Sequence, residues 1–256
     1  MRHFGYREDV IAPEHYLKGT LQAELLQPSG QWELFLPKYE HQARNGVETS
    51  ACTVFGTLNA LEMLHRRKYG TEPNYCERYG SQVCGITQEG ASPHDVIETI
   101  RMYAGTIPEK ELPFSDSIKT WEQYNSGVTL MHRLKGLKWL MDYEVGHEWV
   151  LTGDGDTETL LKGALRMSPL GIAVHAWNFD RERGLYTRAG YDTHWCTLVG
   201  YKDKEYWIVF DSYDGGMKKL DWNFGFTRAK RYTLNKRKAY TTKAIVRALQ
   251  GVVGVY

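Results

Sequence analysis

The sequence of 256 residues is poor in cysteine and has no cysteine pattern typical of a metal site. Its four cysteines, Cys52, Cys76, Cys84 and Cys196, are too few to hold a chain of this length together as a disulfide scaffold. Cys76 and Cys84 either pair across a short loop or remain two free thiols. Because no C-x-x-C pair occurs, the common zinc motifs are excluded, and we expect no metal and no cofactor.

Long apolar segments are missing as well. No apolar run approaches the roughly 20 residues that cross a bilayer, so we expect no membrane association. Residues 1–9 (MRHFGYRED) lack the apolar core of a secretory signal. The expected location is therefore the cytoplasm, in a bacterial or viral setting, with a mature form whose leader has been removed as the alternative.

Acidic residues are absent after Asp221, where eight of the 32 basic residues occur. The other 24 basic residues stand against 31 acidic ones, a net charge of −7 for residues 1–221, whereas the whole chain carries +1. This small net charge argues against a general polyanion binder, and we expect no nucleic-acid partner. The basic tail either meets an acidic partner or nucleic acid, or is a solvated segment that offsets the acidic body.

Helical periodicity dominates the chain before Pro169, and strand-like runs dominate it afterwards. The predicted helices cover residues 49–69, 92–105, 128–143 and 156–167. The predicted strands cover residues 171–177, 194–201, 206–210 and 226–234, with a further strand-like run at residues 32–36. Residues 71–90 have the composition of a loop. Helices followed by strands predict an α+β fold in which a helical half and a sheet half meet at a cleft.

Three residues with the chemistry of a nucleophilic triad lie where predicted elements begin or end. Cys52 is at the start of the first helix, where backbone N–H groups and the helix dipole stabilise a thiolate. His194 opens a strand, and Asp211 ends the next strand 17 residues later, where it can accept from the imidazole and hold its tautomer. Taken one at a time, the three residues would be interpreted as an inert buried cysteine, a structural histidine and a turn-forming aspartate. The ordered set predicts a Cys-His-Asp triad.

The segments around these residues resemble papain-family cysteine peptidases. Residues 49–56 (TSACTVFG), which follow Gln42, resemble the segment in which a cysteine opens the family's long central helix. Residues 193–201 (THWCTLVGY) resemble the strand of the catalytic histidine, and residues 210–213 (FDSY) resemble the family's Asn-Ser-Trp segment. With further matching segments, the resemblance covers about residues 38–234.

Spacing agrees with this resemblance, and three positions depart from it. Cys52 and His194 are 142 residues apart, within the range of about 130–150 for papain-like enzymes. Thr53 stands where the family usually has Trp, and Gln42 lies 10 residues before Cys52, further than the family's oxyanion Gln. Asp211 replaces Asn, which also resembles the bacteriocin-leader peptidases of the same fold. Both families therefore remain open.

The resemblance implies a papain-like α+β fold, with a helical half, an antiparallel β-sheet half and the active-site cleft between them. It implies a cysteine peptidase that hydrolyses peptide bonds through a thioester acyl-enzyme. Cys52 would be the nucleophile, His194 the base and Asp211 its orienting partner, while Gln42 would contribute to the oxyanion hole. The partner of such an enzyme is a peptide or protein substrate.

The same resemblance divides the chain into three parts. We expect an N-terminal extension at residues 1–38, a papain-like peptidase domain at residues 39–234 and a basic C-terminal segment at residues 235–256. The extension is short for an inhibitory propeptide of the papain type, so an enzyme made without a long zymogen is expected.

Three other functions fit the same residues. Transglutaminase-like acyl transfer uses a Cys-His-Asp triad, usually with a shorter Cys-to-His spacing. Hydrolysis of peptidoglycan amides is a variant that a basic tail suits. A catalytically inert pseudo-peptidase that binds peptides is the non-enzyme alternative, and an unreactive Cys52 would indicate it.

Overall fold

The computed structural model describes residues 4–12, 15, 16, 19, 21–152 and 156–237. The α-helices are α1 (Cys52–Tyr69), α2 (Glu77–Val83), α3 (Pro93–Thr99), α4 (Trp121–Tyr124), α5 (Leu130–Asp142) and α6 (Thr157–Leu165). Two 3-10 turns cover Glu33–Phe35 and Glu109–Glu111, and the π-helical segment Ile100–Ala104 continues α3. The strands are β1 (Tyr143–Leu151), β2 (Leu170–Val174), β3 (Asn178–Asp180), β4 (Leu185–Thr187), β5 (His194–Lys202), β6 (Tyr206–Phe210), β7 (Met217–Asp221) and β8 (Ala229–Lys236).

These eight strands form one sheet in the order β1-β8-β2-β5-β6-β7-β4-β3. The pairs are antiparallel, except that β4 pairs with β7 in parallel. Strand β2 and most of β5 are buried, which explains why these strands read as continuous apolar runs. The predicted α+β fold is confirmed. The predicted order, with all helices before the strands, is wrong in one place, because β1 precedes α6 and pairs with β8 in the sheet.

Helix α1 joins the helical half to the sheet. Its residues Cys52–His65 are all buried. Gly56 lies so close to β5 that an added Cβ would approach the Trp195 ring at 2.9 Å, and its carbonyl accepts from Thr197 Oγ1 at 3.0 Å. Because residues four apart share one face of a helix, this contact also directs Cys52 towards the sheet.

The strand prediction for residues 32–36 is wrong, because Glu33–Phe35 forms a 3-10 turn. Alternation in a strand would place Trp32 and Leu34 on the same face. Instead Trp32 is fully buried while Leu34 is 79 % exposed. The Trp32 indole donates to the Leu165 carbonyl at 2.7 Å, and this buried hydrogen bond outweighs local strand preference.

Two other local predictions need correction. The loop prediction for residues 71–90 is wrong because α2 lies inside this range. Its N-cap is Cys76, whose sulfur accepts a backbone N–H, and cysteine is not among the usual signals of a helix start. The helix predicted over residues 128–143 ends at Asp142, because the chain then enters β1 and pairs with β8.

The described part of residues 1–38 packs into the body of the protein, with Phe4, Tyr6 and Trp32 buried. The domain boundaries drawn from the sequence remain predictions, and the basic segment beyond Arg237 lies outside the described residues. All four cysteines, each of them described, are free thiols. Among the described helices, none combines the length and apolarity that a bilayer span requires.

Candidate active site

His194 and Asp211 meet in the sheet half. His194 begins β5 and Asp211 follows β6, so the antiparallel pairing of these strands brings both residues to one end of the sheet. His194 Nε2 lies 2.5 Å from Asp211 Oδ1, and both side chains are buried. His194 Nδ1 is buried without a hydrogen-bond partner among the described residues. An ionised Asp211 accepts from Nε2–H, which leaves Nδ1 available as a base.

Lys218 in β7 binds the other oxygen of the same carboxylate. Its Nζ donates to Asp211 Oδ2 at 2.8 Å and to the Tyr213 carbonyl at 2.7 Å. The lysine side chain is only 1 % exposed. Burial raises the pKa of Asp211, but the charges and hydrogen bonds of His194 and Lys218 outweigh burial and hold this pKa below its ordinary value. Asp211 is therefore an ionised group between two cationic or hydrogen-bonding partners.

Cys52 is the first residue of α1 and is fully buried. It packs in one apolar cluster with Trp195, the residue after the candidate base, so the thiol lies against the start of β5. Burial raises the pKa of the Cys52 thiol well above its ordinary value, and the charges of Glu48 and Asp211 raise it further. The backbone N–H of Trp195 opposes this change but does not overcome it. The thiol is therefore the resting form in this covered site.

Gln42 lies beside the aspartate end of the site. Its side-chain oxygen accepts from Ser212 Oγ at 2.6 Å, and its backbone N–H donates to the Ser212 carbonyl at 3.0 Å. Its Nε2 donates to Glu48 Oε1 at 2.9 Å and to the Phe4 carbonyl at 3.2 Å. These contacts fix the amide orientation and point its N–H group at a backbone carbonyl. Gln42 thus contacts the residue that follows Asp211, Asp211 contacts His194, and Cys52 packs with Trp195, the residue that follows His194.

The N-terminal residues cover this cluster. The Phe4 ring meets the His194 ring edge-on, with 5.3 Å between centroids. The Tyr6 ring stacks on Trp195, with centroids 5.8 Å apart. Phe4 and Tyr6 are 7 % and 4 % exposed, so both rings are themselves packed into the protein. They exclude solvent from the triad candidates.

Gly5 passes through the tightest part of this cover. A Cβ on Gly5 would overlap the Ser50 carbonyl oxygen, and its φ of 100° is one that glycine tolerates best. On the opposite side, the Gly5 carbonyl accepts from Ala91 N at 3.0 Å, and Arg7 N donates to the Ala91 carbonyl at 3.1 Å. Residues 4–7 therefore run beside residue 91 in an extended segment that forms one isolated parallel β-bridge, between Tyr6 and Ala91.

Two acidic residues anchor the end of this N-terminal segment. Asp9 is buried and accepts from the Ser92 hydroxyl and from His94 N, the latter at 3.3 Å. Glu8 pairs with Arg228 at 2.9 Å. The segment is thus held by side-chain contacts as well as by its backbone.

Sequence reasoning missed Lys218 and the covering residues Phe4, Gly5 and Tyr6. The alternating burial of β7 distinguishes buried Lys218 from exposed Lys219, but this strand was not predicted. No periodic pattern marks residues 4–6, whose role depends on where the N-terminus lies in space.

The described structure is similar to solved structures of cysteine proteases. With digestive procathepsin L 3 from the larval midgut of Tenebrio molitor it has a TM-score of 0.61 at 15 % identity, over 90 % of this chain and 76 % of that chain. The chain has the papain-like fold. The papain-like fold expected from the sequence is therefore confirmed, with Cys52 on its central helix and His194 on its sheet.

Two further solved structures of cysteine proteases are similar to this chain. The Amb a 11 cysteine protease of ragweed pollen, in its proform, gives a TM-score of 0.55 at 15 % identity over 81 % of this chain and 66 % of that chain. Bromelain from Ananas comosus, in complex with the E64 inhibitor, gives a TM-score of 0.54 at 16 % identity over 80 % of this chain and 98 % of that chain. No family profile and no curated protein sequence matches the chain. At these identities the likeness concerns the fold alone.

Proposed function

We propose that the protein is a cysteine peptidase that uses Cys52 as nucleophile, His194 as general base and Asp211 as orienting acid. The observation that carries this proposal is the state of the imidazole. Its Nε2 is held by a carboxylate at 2.5 Å, while its Nδ1 is buried and unpartnered among the described residues. A base that is fixed on one nitrogen and open on the other is what nucleophilic catalysis by a nearby thiol requires.

The proposed reaction begins when Cys52 transfers its proton to His194 Nδ1 and its sulfur attacks a peptide carbonyl. The oxyanion accepts from the Cys52 backbone N–H and from the Gln42 amide, and one such donor contributes roughly 10²–10³ in rate. His194 then returns its proton to the leaving amine, and a thioester remains. Water, deprotonated by the imidazole, hydrolyses the thioester and releases the second product as a carboxylate.

In the described conformation this enzyme would be latent. The Gln42 amide already donates to a carbonyl, that of Phe4, at 3.2 Å. The Phe4 and Tyr6 rings lie over His194 and Trp195, and Cys52 is 0 % exposed. A substrate would have to displace residues 4–7 before its own carbonyl reached Gln42. We therefore propose that residues 4–9 hold the site closed.

The test is the alkylation rate of Cys52 in the full chain, measured with an epoxide thiol inhibitor and mass spectrometry. Gly5→Ala places a Cβ against the Ser50 carbonyl and should unseat residues 4–7. Gly19→Ala is the matched control, because Gly19 has a similar φ of 97° but open space around its Cβ. We expect Gly5→Ala to speed labelling of Cys52 about 10²-fold, Gly19→Ala to leave it unchanged, and His194→Ala to cancel the gain.

Each other result has a defined meaning. If Cys52 reacts no faster than half-buried Cys84 in Gly5→Ala, the catalytic assignment is wrong and a peptide-binding domain without catalysis replaces it. If Cys52 reacts rapidly in the unaltered protein, the enzyme is not latent, and the catalytic assignment stands. Once Cys52 is shown to be reactive, a peptide library identifies the substrate class. Transfer of the acyl group to an added amine, in place of hydrolysis, would identify an acyltransferase.

A further inference from the structure

Three buried glutamates converge in the helical half, away from the candidate active site. Glu40 precedes α1, Glu77 begins α2, and Glu109 begins a 3-10 turn. One carboxylate oxygen from each lies within 4.8 Å of those from the other two. The three residues are 8 %, 3 % and 9 % exposed, so this is an interior cluster, not a solvated acidic surface.

An unsatisfied oxygen distinguishes this cluster from an ordinary hydrogen-bonded one. Glu77 Oε2 is buried and has no hydrogen-bond partner within the part of the chain that the structure describes. Glu109 Oε1 accepts from Phe114 N at 3.0 Å, and Glu40 Oε2 pairs with Arg44 at 3.1 Å. A buried carboxylate oxygen without a donor is costly, and a bound cation would satisfy it.

Charge at the cluster is also out of balance. Glu62 is a fourth buried carboxylate nearby. Arg44 and the exposed Lys38 pair with Glu40, while the half-buried Arg78 acts on Glu109 through its charge but donates its hydrogen bonds to backbone carbonyls. Without a further positive charge, the interior would hold several carboxyl groups in unfavourable proximity.

We infer that Glu40, Glu77 and Glu109 form a binding site for a hard divalent cation of the calcium class. Carboxylate oxygens are the ligands that calcium prefers, at about 2.3–2.6 Å, so oxygens on opposite sides of the ion lie up to about 5 Å apart. The observed separations fall within this limit. The bound ion ties the segment before α1 to the start of α2 and to the 3-10 turn. Gln42 follows Glu40 by two residues, so the ion also steadies the backbone that leads to the candidate active site.

The test uses the full chain, freed of metal with a chelator, at pH 7.5. Titration with calcium chloride in a calorimeter should show one ion per chain. Calcium at about 100 times its Kd should raise the Tm by about 5 °C. Glu77→Gln should abolish both the binding and the Tm response, while it should fold normally in chelator because it removes one crowded buried charge. Glu122→Gln, an exposed change on α4, is the control that should retain the response.

Three outcomes would overturn this inference. The first is that calcium, manganese and magnesium at millimolar concentration all leave the Tm unchanged. This result would mean that the carboxyl groups of the cluster bind protons and no metal ion. Another is a calcium response that persists in Glu77→Gln, which places the ion elsewhere. The third is loss of the response in Glu122→Gln, which indicates general surface binding.

A second inference concerns Lys218 and rests on the proposed function. Lys218 Nζ contacts Asp211 Oδ2 at 2.8 Å, while Asp211 Oδ1 contacts His194 Nε2 at 2.5 Å. Without Lys218 the buried carboxylate would gain stability by taking up a proton. A protonated carboxyl would donate to Nε2 and move the imidazole proton to Nδ1, the nitrogen that has to accept the thiol proton. We propose that Lys218 is a positioning residue that keeps Asp211 ionised and so selects the catalytic tautomer of His194.

The second inference is tested by removing the charges of Lys218 and Asp211 separately and together. In the Gly5→Ala background, Lys218→Met should slow the labelling of Cys52 by about 10²-fold or more, because the wrong tautomer is held. Asp211→Asn alone should also be slow, because it leaves Lys218 buried without a counter-ion. The double variant Asp211→Asn/Lys218→Met should label at least about tenfold faster than either single variant. A neutral amide oxygen accepts from Nε2–H and needs no lysine.

Nitrogen-15 NMR of the His194 ring separates this inference from the proposed function. The proton should reside on Nε2 in the unaltered protein and on Nδ1 in Lys218→Met, whether or not Cys52 is catalytic. If Lys218→Met retains both the Nε2 proton and the labelling rate, Lys218 only fills space and the inference fails. If Lys218→Met unfolds, the double variant Asp211→Asn/Lys218→Met is compared with Asp211→Asn. The inference is contradicted if the two label Cys52 at the same rate and have the same His194 tautomer. A shifted tautomer with uniformly slow labelling of Cys52 would reject the peptidase and keep the role of Lys218.

Discussion

In the sheet half, Asp211 and Glu148 each have a cation within 2.8 Å, whereas in the helical half Glu77 and Glu109 lie among other carboxylates. All four acids are buried to a similar extent. The pKa of Asp211 is held below its ordinary value, while the pKa of Glu109 is raised to about 7. Burial alone therefore does not decide the charge state of a carboxyl group, because the neighbours that tertiary structure supplies can reverse the direction of its pKa shift.

The largest expected effect comes from breaking a pair in the sheet half. Lys218→Met should lower the free energy of unfolding by about 3–5 kcal/mol, because Asp211 loses its cation and either stays an unpaired buried charge or has to take up a proton. Chemical denaturation measures this loss. Lys219→Met, at the exposed neighbouring position, is the control and should cost less than about 1 kcal/mol. Equal losses in the two variants would show that the ion pair contributes nothing specific.

A somewhat smaller loss is expected from the second buried pair. Arg231→Met should lower the free energy of unfolding by about 3 kcal/mol, because Glu148 Oε1 loses its cation. The loss is moderated because Glu148 Oε2 also accepts from the backbone N–H groups of Gly19 and Leu21. Adding Glu148→Gln to Arg231→Met should recover part of the stability. A double variant less stable than Arg231→Met would contradict pairing as the cause.

Acid should act on the sheet half through Asp211. Because its pKa is lower in the folded state than in the unfolded chain, its contribution to stability is present above the ordinary value of about 3.9 and is lost as pH falls through the folded value. The free energy of unfolding, measured from pH 6 down to pH 2, should therefore decline. Asp211→Asn/Lys218→Met should show a shallower decline in the same range, and identical slopes would exclude this group as a source.

The smallest effect, and the one of opposite sign, is expected in the helical half. In the presence of chelator, Glu77→Gln should raise the free energy of unfolding by up to about 1 kcal/mol, because an amide relieves the repulsion and donates to a neighbouring carboxylate. Thermal unfolding in chelator measures the gain, with Glu122→Gln as the control. A clear loss of stability in Glu77→Gln would mean that the cluster is already balanced without a metal.

Local signals in the sequence located the candidate triad. Cys52 is where the helical periodicity starts, and His194 and Asp211 mark the start and the end of apolar strands. These positions can be predicted because the ends of elements carry composition signals. The sheet register then brings the last two residues together. Gln42 was proposed from resemblance alone, and only its contacts with Ser212 and Glu48 show where its amide points.

Other features had no local signal that could be read. Glu40, Glu77 and Glu109 are more than 30 residues apart along the chain, and nothing in their flanking residues indicates that they converge. The start of α2 was missed because a cysteine caps it, and the turn at residues 33–35 was misread because a buried indole hydrogen bond overrides the strand pattern.

The α+β class and the positions of Cys52, His194 and Asp211 follow from the sequence alone, because periodicity and element ends are encoded over a few neighbouring residues. Tertiary structure alone decided which lysine neutralises Asp211, which glutamates share an interior cluster, and that residues 4–7 lie over the candidate site. The two sets of features differ in the distance along the chain over which they are determined. Hydrogen bonds, ion pairs and desolvation act over a few ångströms in space, between groups that the fold brings together from distant parts of the chain.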